Sequence, residues 1–340
     1  MLAIINGRLM TVANGIVESG TILVENGKIV AVGNALTVPA DAEVIDAKGM
    51  VVTPGLIDAH SHVGIMEEAN GWAGDDTNEC TDPNTAQVRA LDGINPADIG
   101  FQDCREGGVT TVQIGPGSGN VIGGEMLVLK TCGHVVDQMV VKAPSAIKAA
   151  LGENPKRVYG SQHKMPSTRM GSAAVMRDAL MRAQAYMKKQ EQAKDEEKAP
   201  ARDLKLENLA KVLRRELPLR VHAHRADDIV TALRIADEFG ITVSIEHCTE
   251  GHLIADYIAQ KNVFAAVGPT LSGKSKVELK ELGFHTPVAL AKAGVKFAIV
   301  TDHPIIPEKY LNIAAGLAVR EGLDEALALE ALTITPATML

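Results

Sequence analysis

At 340 residues with 46% hydrophobic side chains, the chain can bury a large core, as one big α/β barrel with an appendage or as two smaller domains. A formal net charge of −8 and no basic stripe leave little to neutralise phosphates, so nucleic acid is not an expected partner. No stretch has the apolar length of a membrane span, and the N-terminus lacks a charged region leading into a signal core; a cytoplasmic enzyme is expected. Cys80, Cys104, Cys132 and Cys248 form no C-x-x-C pair and read as reduced thiols.

Residues 1–53 alternate short β-prone runs with turn signals and predict a small β module. Asn26-Gly27 between two such runs predicts a tight hairpin, because both central residues of a primed turn need positive φ. From residue 54 the texture changes to strand-like runs separated by helical patterns, the mark of βα units, so residues 54–340 are read as one barrel. Its first strand is placed at Val51, entering the Pro54-Gly55 turn signal and ending in Asp58, His60 and His62. Residues two apart on a strand point the same way, so both imidazoles can face one ion.

Val109–Ile114 is the next strand. The glycine-rich run Gly115–Glu125 is read as a mobile or ligand-approaching loop, and it precedes no helix in the way a phosphate-cradling loop should. Residues 138–142 and 146–151 are each read as strands. A helical, highly charged insertion is expected at about 165–216, including the mixed-sign run 187–198, as a hairpin over the barrel mouth with a lid role.

The second half is more regular. Leu219–His224 is a strand, and Ile229, Leu233 and Ala236 share one helical face before Gly240 stops the helix. Strands follow at 241–247, 263–267 and 295–301. Eight strands suit a (β/α)8 TIM-type barrel, whose ligands sit at the carboxyl ends of the strands. That geometry gathers His60, His62, His222, His224, His247 and Asp302 at one mouth. Four or five imidazoles with a carboxylate suit a divalent transition metal, with zinc foremost and manganese or iron as alternatives.

The run Pro54 to His62, with Ile245-Glu246-His247 and Thr301-Asp302-His303-Pro304, resembles the amidohydrolase superfamily, metal-dependent hydrolases related to imidazolonepropionase and dihydroorotase. The resemblance implies a barrel flanked by a β-sandwich module. It also implies that His60 and His62 bind one metal, that His222 and His247 bind a second or the only one, and that Asp302 is both ligand and general base. His222 and His224 compete for the fifth-strand position, with His222 favoured and His224 facing substrate. Lys148 is nominated as a carboxylated bridging ligand against Lys130 and Lys142, with Glu125 as an alternative, so one ion or two stays open. Relatives usually continue past a segment like Thr333–Ala337 with strands that complete the module. This chain stops at Leu340, so the C-terminal part of the module is expected to be missing and residues 1–53 to have open edges.

Metal coordination lowers the pKa of water from about 15.7 to roughly 7, worth about 12 kcal/mol, so a metal-bound hydroxide can attack an amide at neutral pH. Asp302 would relay its proton to the departing nitrogen, with His224, His247 or His303 facing the developing oxyanion. Arg157, Tyr159 and Arg169 are candidates to hold an anionic group of the substrate, with His303 beside them. One tryptophan, four tyrosines and five phenylalanines argue against an aromatic pocket and for a small polar substrate such as a cyclic amide, an N-acyl amino acid or a dipeptide. Hydrolysis of such a C–N bond is the first reading. Deamination of an aminated heterocycle is the second, weakened because His224-Arg-Ala-Asp227 lacks the glutamate of His-x-x-Glu, and a catalytically silent scaffold is the third. The expected partner is a small molecule, neither nucleic acid nor membrane, and a homo-oligomer is compatible with the chain.

Overall fold

The computed structural model describes residues 1–68, 71–193 and 200–340. The chain divides into two compact units, Met1–Leu56 and Ile57–Leu340. The first holds β1 (Leu2–Met10), β2 (Ile16–Glu25), β3 (Lys28–Gly33), β4 (Glu43–Asp46) and β5 (Val51–Val52). These strands form one mixed sheet in the order β3-β2-β1-β4, with β5 also pairing β1. Its described strands make one layer rather than the expected sandwich. Asn26 and Gly27 have φ of 50° and 74° and join β2 to β3, as a primed two-residue hairpin requires. Val51, expected to open the barrel, pairs with Arg8 of this sheet instead. An apolar pair before Pro54 carries no sign of which sheet it joins.

The barrel strands, which begin at the boundary residue Leu56 and otherwise lie in the second unit, are β6 (Leu56–Ser61), β7 (Val109–Ile114), β8 (Ile122–Lys130), β9 (Val140–Ala150), β10 (Leu219–Ala223), β11 (Val243–His247), β12 (Phe264–Val267) and β13 (Phe297–Ile299). They form one sheet in chain order, and the ends are joined where Asp302 N–H donates to His60 O (3.1 Å) and His62 N–H to His303 O (3.0 Å). Asp58 locks the same seam, accepting from Thr301 through its N–H (2.8 Å) and its hydroxyl (2.6 Å).

The barrel departs from a pure βα alternation in one place. β8 runs antiparallel to both β7 and β9, so the glycine-rich segment read as a loop partly forms a strand. Gly124 sits at φ 127°, and a Cβ there would lie 2.4 Å from Val88 O. Close backbone approach, not phosphate binding, thus explains that glycine. The two strands expected at 138–151 are one, β9.

The helices are α1 (Gly100–Glu106), α2 (Val136–Met139), α3 (Glu153–Ser161), α4 (Arg169–Gln192), α5 (Leu204–Leu213), α6 (Ala226–Phe239), α7 (Ala255–Lys261), α8 (His285–Lys292), α9 (Leu311–Arg320), α10 (Glu325–Glu330) and α11 (Ile334–Met339). Thr168 caps α4 by accepting from Gly171 N–H, and Asp203 caps α5 by accepting from Leu206 N–H. α4 packs on α3, α5 and α6 through Met176, Leu180 and Ala183, while α5 packs on β9. This pair belongs to the outer helical layer, which corrects the expectation of a lid. The part of the charged run at 194–198 lies outside the described residues. Among the described residues no helix is long and apolar enough to cross a membrane.

Inside the barrel, Ala59, Ala266, Ala298 and Val300 form a buried cluster. These small side chains leave room for two long cationic ones, Arg220 and Lys148, each 1% exposed. A barrel interior filled by charges needs partners for them, and those partners define the site.

Candidate metal centre

His60 and Asp58 share the inward face of β6, and His62 follows at its end. Arg220, His222 and His224 repeat the same two-residue spacing on β10 and just beyond it. On β11 the inward positions are Ser244 and Glu246, so strict alternation would turn His247 towards the helices. Its φ of 71° redirects the ring inward, and Asp302 likewise sits in left-handed backbone at φ 55°. Histidine and aspartate are among the few non-glycine residues that enter this region readily, and at both positions it aims the side chain into the site.

The imidazoles converge. The His247 ring centroid lies 4.3 Å from that of His222, 4.7 Å from His224 and 4.8 Å from His60. Their ligand atoms fall into two buried groups: His60, His62 and Asp302; and His222, His224 and His247. Within each group the donor atoms lie within 4.8 Å of one another.

The hydrogen bonds on the far side of each ring decide what the near side offers. His62 Nδ1 lies 2.7 Å from Gly115 O, and His247 Nδ1 lies 2.8 Å from Gly268 O. A carbonyl can only accept, so these Nδ1 atoms carry the proton and each Nε2 presents a lone pair. His60 Nδ1 is held in the same way by Glu246 Oε2 at 2.7 Å. Burial lowers the His62, His222, His224 and His247 pKa values below 6.5, so at neutral pH these rings are uncharged. The His62 Nε2 lone pair then faces Asp302 Oδ1 at 3.2 Å, and His60 Nε2 stands 3.3 Å from the same oxygen. That arrangement calls for a cationic group among them, a place the Lys148 amine reaches in this structure. The donor set therefore fits a divalent metal, with the outer hydrogen bonds orienting its ligands.

Lys148 reaches the same point from the end of β9, with Nζ 3.1 Å from His60 Nε2, and burial pushes its amine down to about 8. Beneath it, Arg220 makes two bonds to Glu246 (3.0 and 2.9 Å) and one to Ala59 O (3.0 Å), while Ser244 Oγ donates to Glu246 at 2.7 Å. Burial is the largest single influence on the Glu246 carboxyl and raises it, but the Arg220 charge together with the hydrogen bonds from His60 and Arg220 outweighs burial and holds Glu246 well below the usual carboxylate range. Sequence reasoning gave Arg220 and Glu246 no role. The available signal was a charge inside each apolar strand run, beside a candidate histidine.

A cavity of about 740 Å³ opens over both groups, and its wall includes His62, His222, His224, Asp302, Asn154, Arg157 and Lys276. Arg157 has no ion-pair partner among the described residues. The other nominated substrate contacts are corrected by the structure. Tyr159 is fully buried, and its hydroxyl donates to Asp82 O (2.8 Å) and accepts from Asn120 (3.1 Å). Arg169 is engaged with Asp228 at 3.0 Å, away from the cavity wall. His303 is fully buried, lies 3.8 Å from Glu68 and does not line the cavity. Glu125 pairs with Lys211 of α5 at 3.6 Å and is no rival to Lys148.

Burial of neutral histidines sets a pH dependence. Unfolded histidine titrates near 6.5, and here His62, His222, His224 and His247 lie lower and His303 at about 4. Folded-state pKa values below the unfolded value mean that stability is full above about pH 6.5 and declines as protons bind the unfolded chain first. Metal-stripped protein is therefore expected to melt at a lower temperature at pH 5 than at pH 7.5. An unchanged or higher melting temperature at pH 5 would contradict this account of the rings.

Comparison with known proteins agrees with this geometry. The chain is 44% identical to a solved amidohydrolase of Thermotoga maritima, with a TM-score of 0.97 over 100% of this chain and 88% of that one. It is 31% identical to the amidohydrolase tasK of Hapsidospora irregularis over 94% of this chain, and it spans 36% of that protein's length. Over 85% of this chain and 72% of the relative it is 25% identical to an imidazolonepropionase of Idiomarina loihiensis. No protein-family model matches the chain. With a near-identical fold at 44% identity and a buried His/Asp constellation at the strand ends, the chain belongs to the amidohydrolase superfamily.

Proposed function

We propose that the protein is a metal-dependent hydrolase that cleaves a C–N bond, an amide or cyclic amide, in a small polar substrate carrying an anionic group. The observation that carries this reading is the pair of buried donor groups opening into one cavity, with neutral imidazoles facing a carboxylate. His60, His62 and Asp302 would hold one ion, His222 and His247 a second, and Lys148, carboxylated on its amine, would bridge them. A divalent cation there, zinc foremost, would polarise the scissile carbonyl and make water acidic enough to attack near neutral pH.

The chain's own groups do the rest. Asp302 accepts the proton of the attacking water and passes it to the departing nitrogen. Burial brings the Lys148 amine to about 8, which keeps a neutral fraction able to react with carbon dioxide at mildly alkaline pH. His224, oriented by Thr249 Oγ1 at 2.7 Å, lines the cavity beside the reacting carbonyl. Arg157, uncommitted on the wall, presents a fork that matches a carboxylate.

Deamination gains no support, since Asp227, the acid at the offset of interest, is paired with Arg225 at 2.8 Å on the outside. The test is turnover of cyclic amides, N-acyl amino acids, dipeptides and aminated heterocycles by metal-loaded and metal-stripped protein. Hydrolysis of a member of the first three groups by the loaded form alone is expected. Ammonia release from a heterocycle would select the deaminase, and no turnover of any compound would select a silent scaffold.

A further inference from the structure

Behind the part of the cavity wall formed by Lys276 and Leu279 lies a carboxylate that neither the family resemblance nor the proposed chemistry uses. Glu278 lies in a short 3-10 turn, Val277–Leu279, on the loop between β12 and α8, and is fully buried. Its Oε1 lies 3.8 Å from His222 Nε2 and 3.8 Å from His224 Nε2. His222 is 2% exposed, and among the described residues neither of its ring nitrogens has a hydrogen-bond partner. A neutral imidazole left so in the interior loses about 1–3 kcal/mol per unmade bond, and a cation at Nε2 would remove part of that penalty.

The separations suit coordination. Ligands at about 2.0–2.2 Å around a tetrahedral ion lie about 3.3–3.6 Å apart, so Glu278 Oε1 at 3.8 Å from each ring is a few tenths of an ångström from coordination distance, beside histidine donor atoms that lie within 4.8 Å of one another. Other contacts of Glu278 hold it in place for this. Its Oε2 accepts from Glu153 N–H at 2.9 Å, and Arg169, paired with Asp228, stands 4.0 Å behind. A Cβ on Gly152 (φ 85°) would come 2.8 Å from that Oε2, so the glycine makes the space. The present countercharge of Oε1 is the Lys276 ammonium at 2.7 Å, and Lys276 also reaches Asn154 Oδ1 at 3.1 Å, a partner it keeps when a cation takes the carboxylate.

Resting on the reading of the site as a metal centre, we propose that Glu278 and His224 complete the second cation position, making it a His222–His224–His247–Glu278 set that holds its ion without requiring Asp302. In this arrangement His224 is a ligand as well as His222, so the two do not compete for one role. Arg169 acts as a positioning residue for the loop carboxylate rather than as a substrate contact.

The test uses the full chain stripped with chelator and titrated with Co(II), followed by visible absorption and by elemental count of ions retained. The wild-type chain is expected to take up two ions. Glu278→Gln, which keeps the side-chain shape, is expected to keep one and to bind the second at least about tenfold more weakly. A variant that takes up both ions with unchanged affinity would overturn the proposal while leaving the metal centre intact, whereas a wild type that takes up none would overturn both. Anomalous scattering from Zn(II)-soaked wild-type crystals gives a second readout that needs no variant. An ion within about 2.3 Å of a Glu278 oxygen is expected. An ion held by His222 and His247 alone, with Glu278 still on Lys276, would overturn it.

Discussion

Asp302→Asn is expected to lower turnover about 10²- to 10⁴-fold while leaving the fold in place. The residue occupies left-handed backbone at φ 55°, a region that asparagine tolerates better than almost any other non-glycine residue, so the substitution adds no backbone strain. What it removes is the charge and the basicity of the one carboxylate that stands 3.2–3.3 Å from both His60 and His62 Nε2. An amide cannot take the proton of an attacking water, and its N–H donors would turn towards the two lone pairs. Near-UV circular dichroism and steady-state turnover of the best substrate check the two halves of the expectation. Full turnover in the variant would remove Asp302 from its assigned role.

Arg220→Met is expected to destabilise the metal-stripped protein by about 3–5 kcal/mol, read as a shift of the urea unfolding curve. The guanidinium is 1% exposed and supplies four bonds, two to Glu246, one to Ala59 O and a weak one to Met339 Sδ at 3.7 Å. Methionine fills much of the same volume but leaves Glu246 as a buried carboxylate with only Ser244 and His60 as partners. The loss is thus the desolvation of an unpaired charge rather than the worth of the ion pair itself. Since Glu246 also orients His60, the same variant is expected to bind metal more weakly. A stability change below about 1 kcal/mol would mean that the interior charge network does not support the site.

These two residues show where the sequence was informative and where it was silent. Asp302 was legible because the apolar run before it ends abruptly in a carboxylate, and the topology then places every strand end at one mouth. The stop of α6 was equally legible, since Gly240 takes φ 63° and its N–H bonds back to Ala236 O. Arg220 and Glu246 were not, because a charge inside a buried strand is explained only by a partner on a neighbouring strand, and Arg220's partner lies 26 residues away. The antiparallel strand β8 was hidden for a different reason. Buried on both faces and rich in glycine, it has neither alternation nor β-branched enrichment to distinguish it from a loop. Tyr159 and Arg169 looked like mouth residues by position along the chain, yet each is turned inward or sideways by a partner, Asp82 or Asp228, that no spacing rule connects to it. Glu278 escaped notice because it sits in an irregular loop where no periodicity assigns a facing.

The proposed hydrolysis requires imidazoles and one carboxylate to share bound cations, and those cations to be needed for turnover. Counting ions per chain in purified protein, before and after chelation, alongside hydrolysis of the best compound in the panel tests this most directly. Two ions per chain are predicted, with activity lost on chelation and regained on adding Zn(II) or Mn(II). A chain that carries no ion and hydrolyses its substrate undiminished after chelation would contradict it.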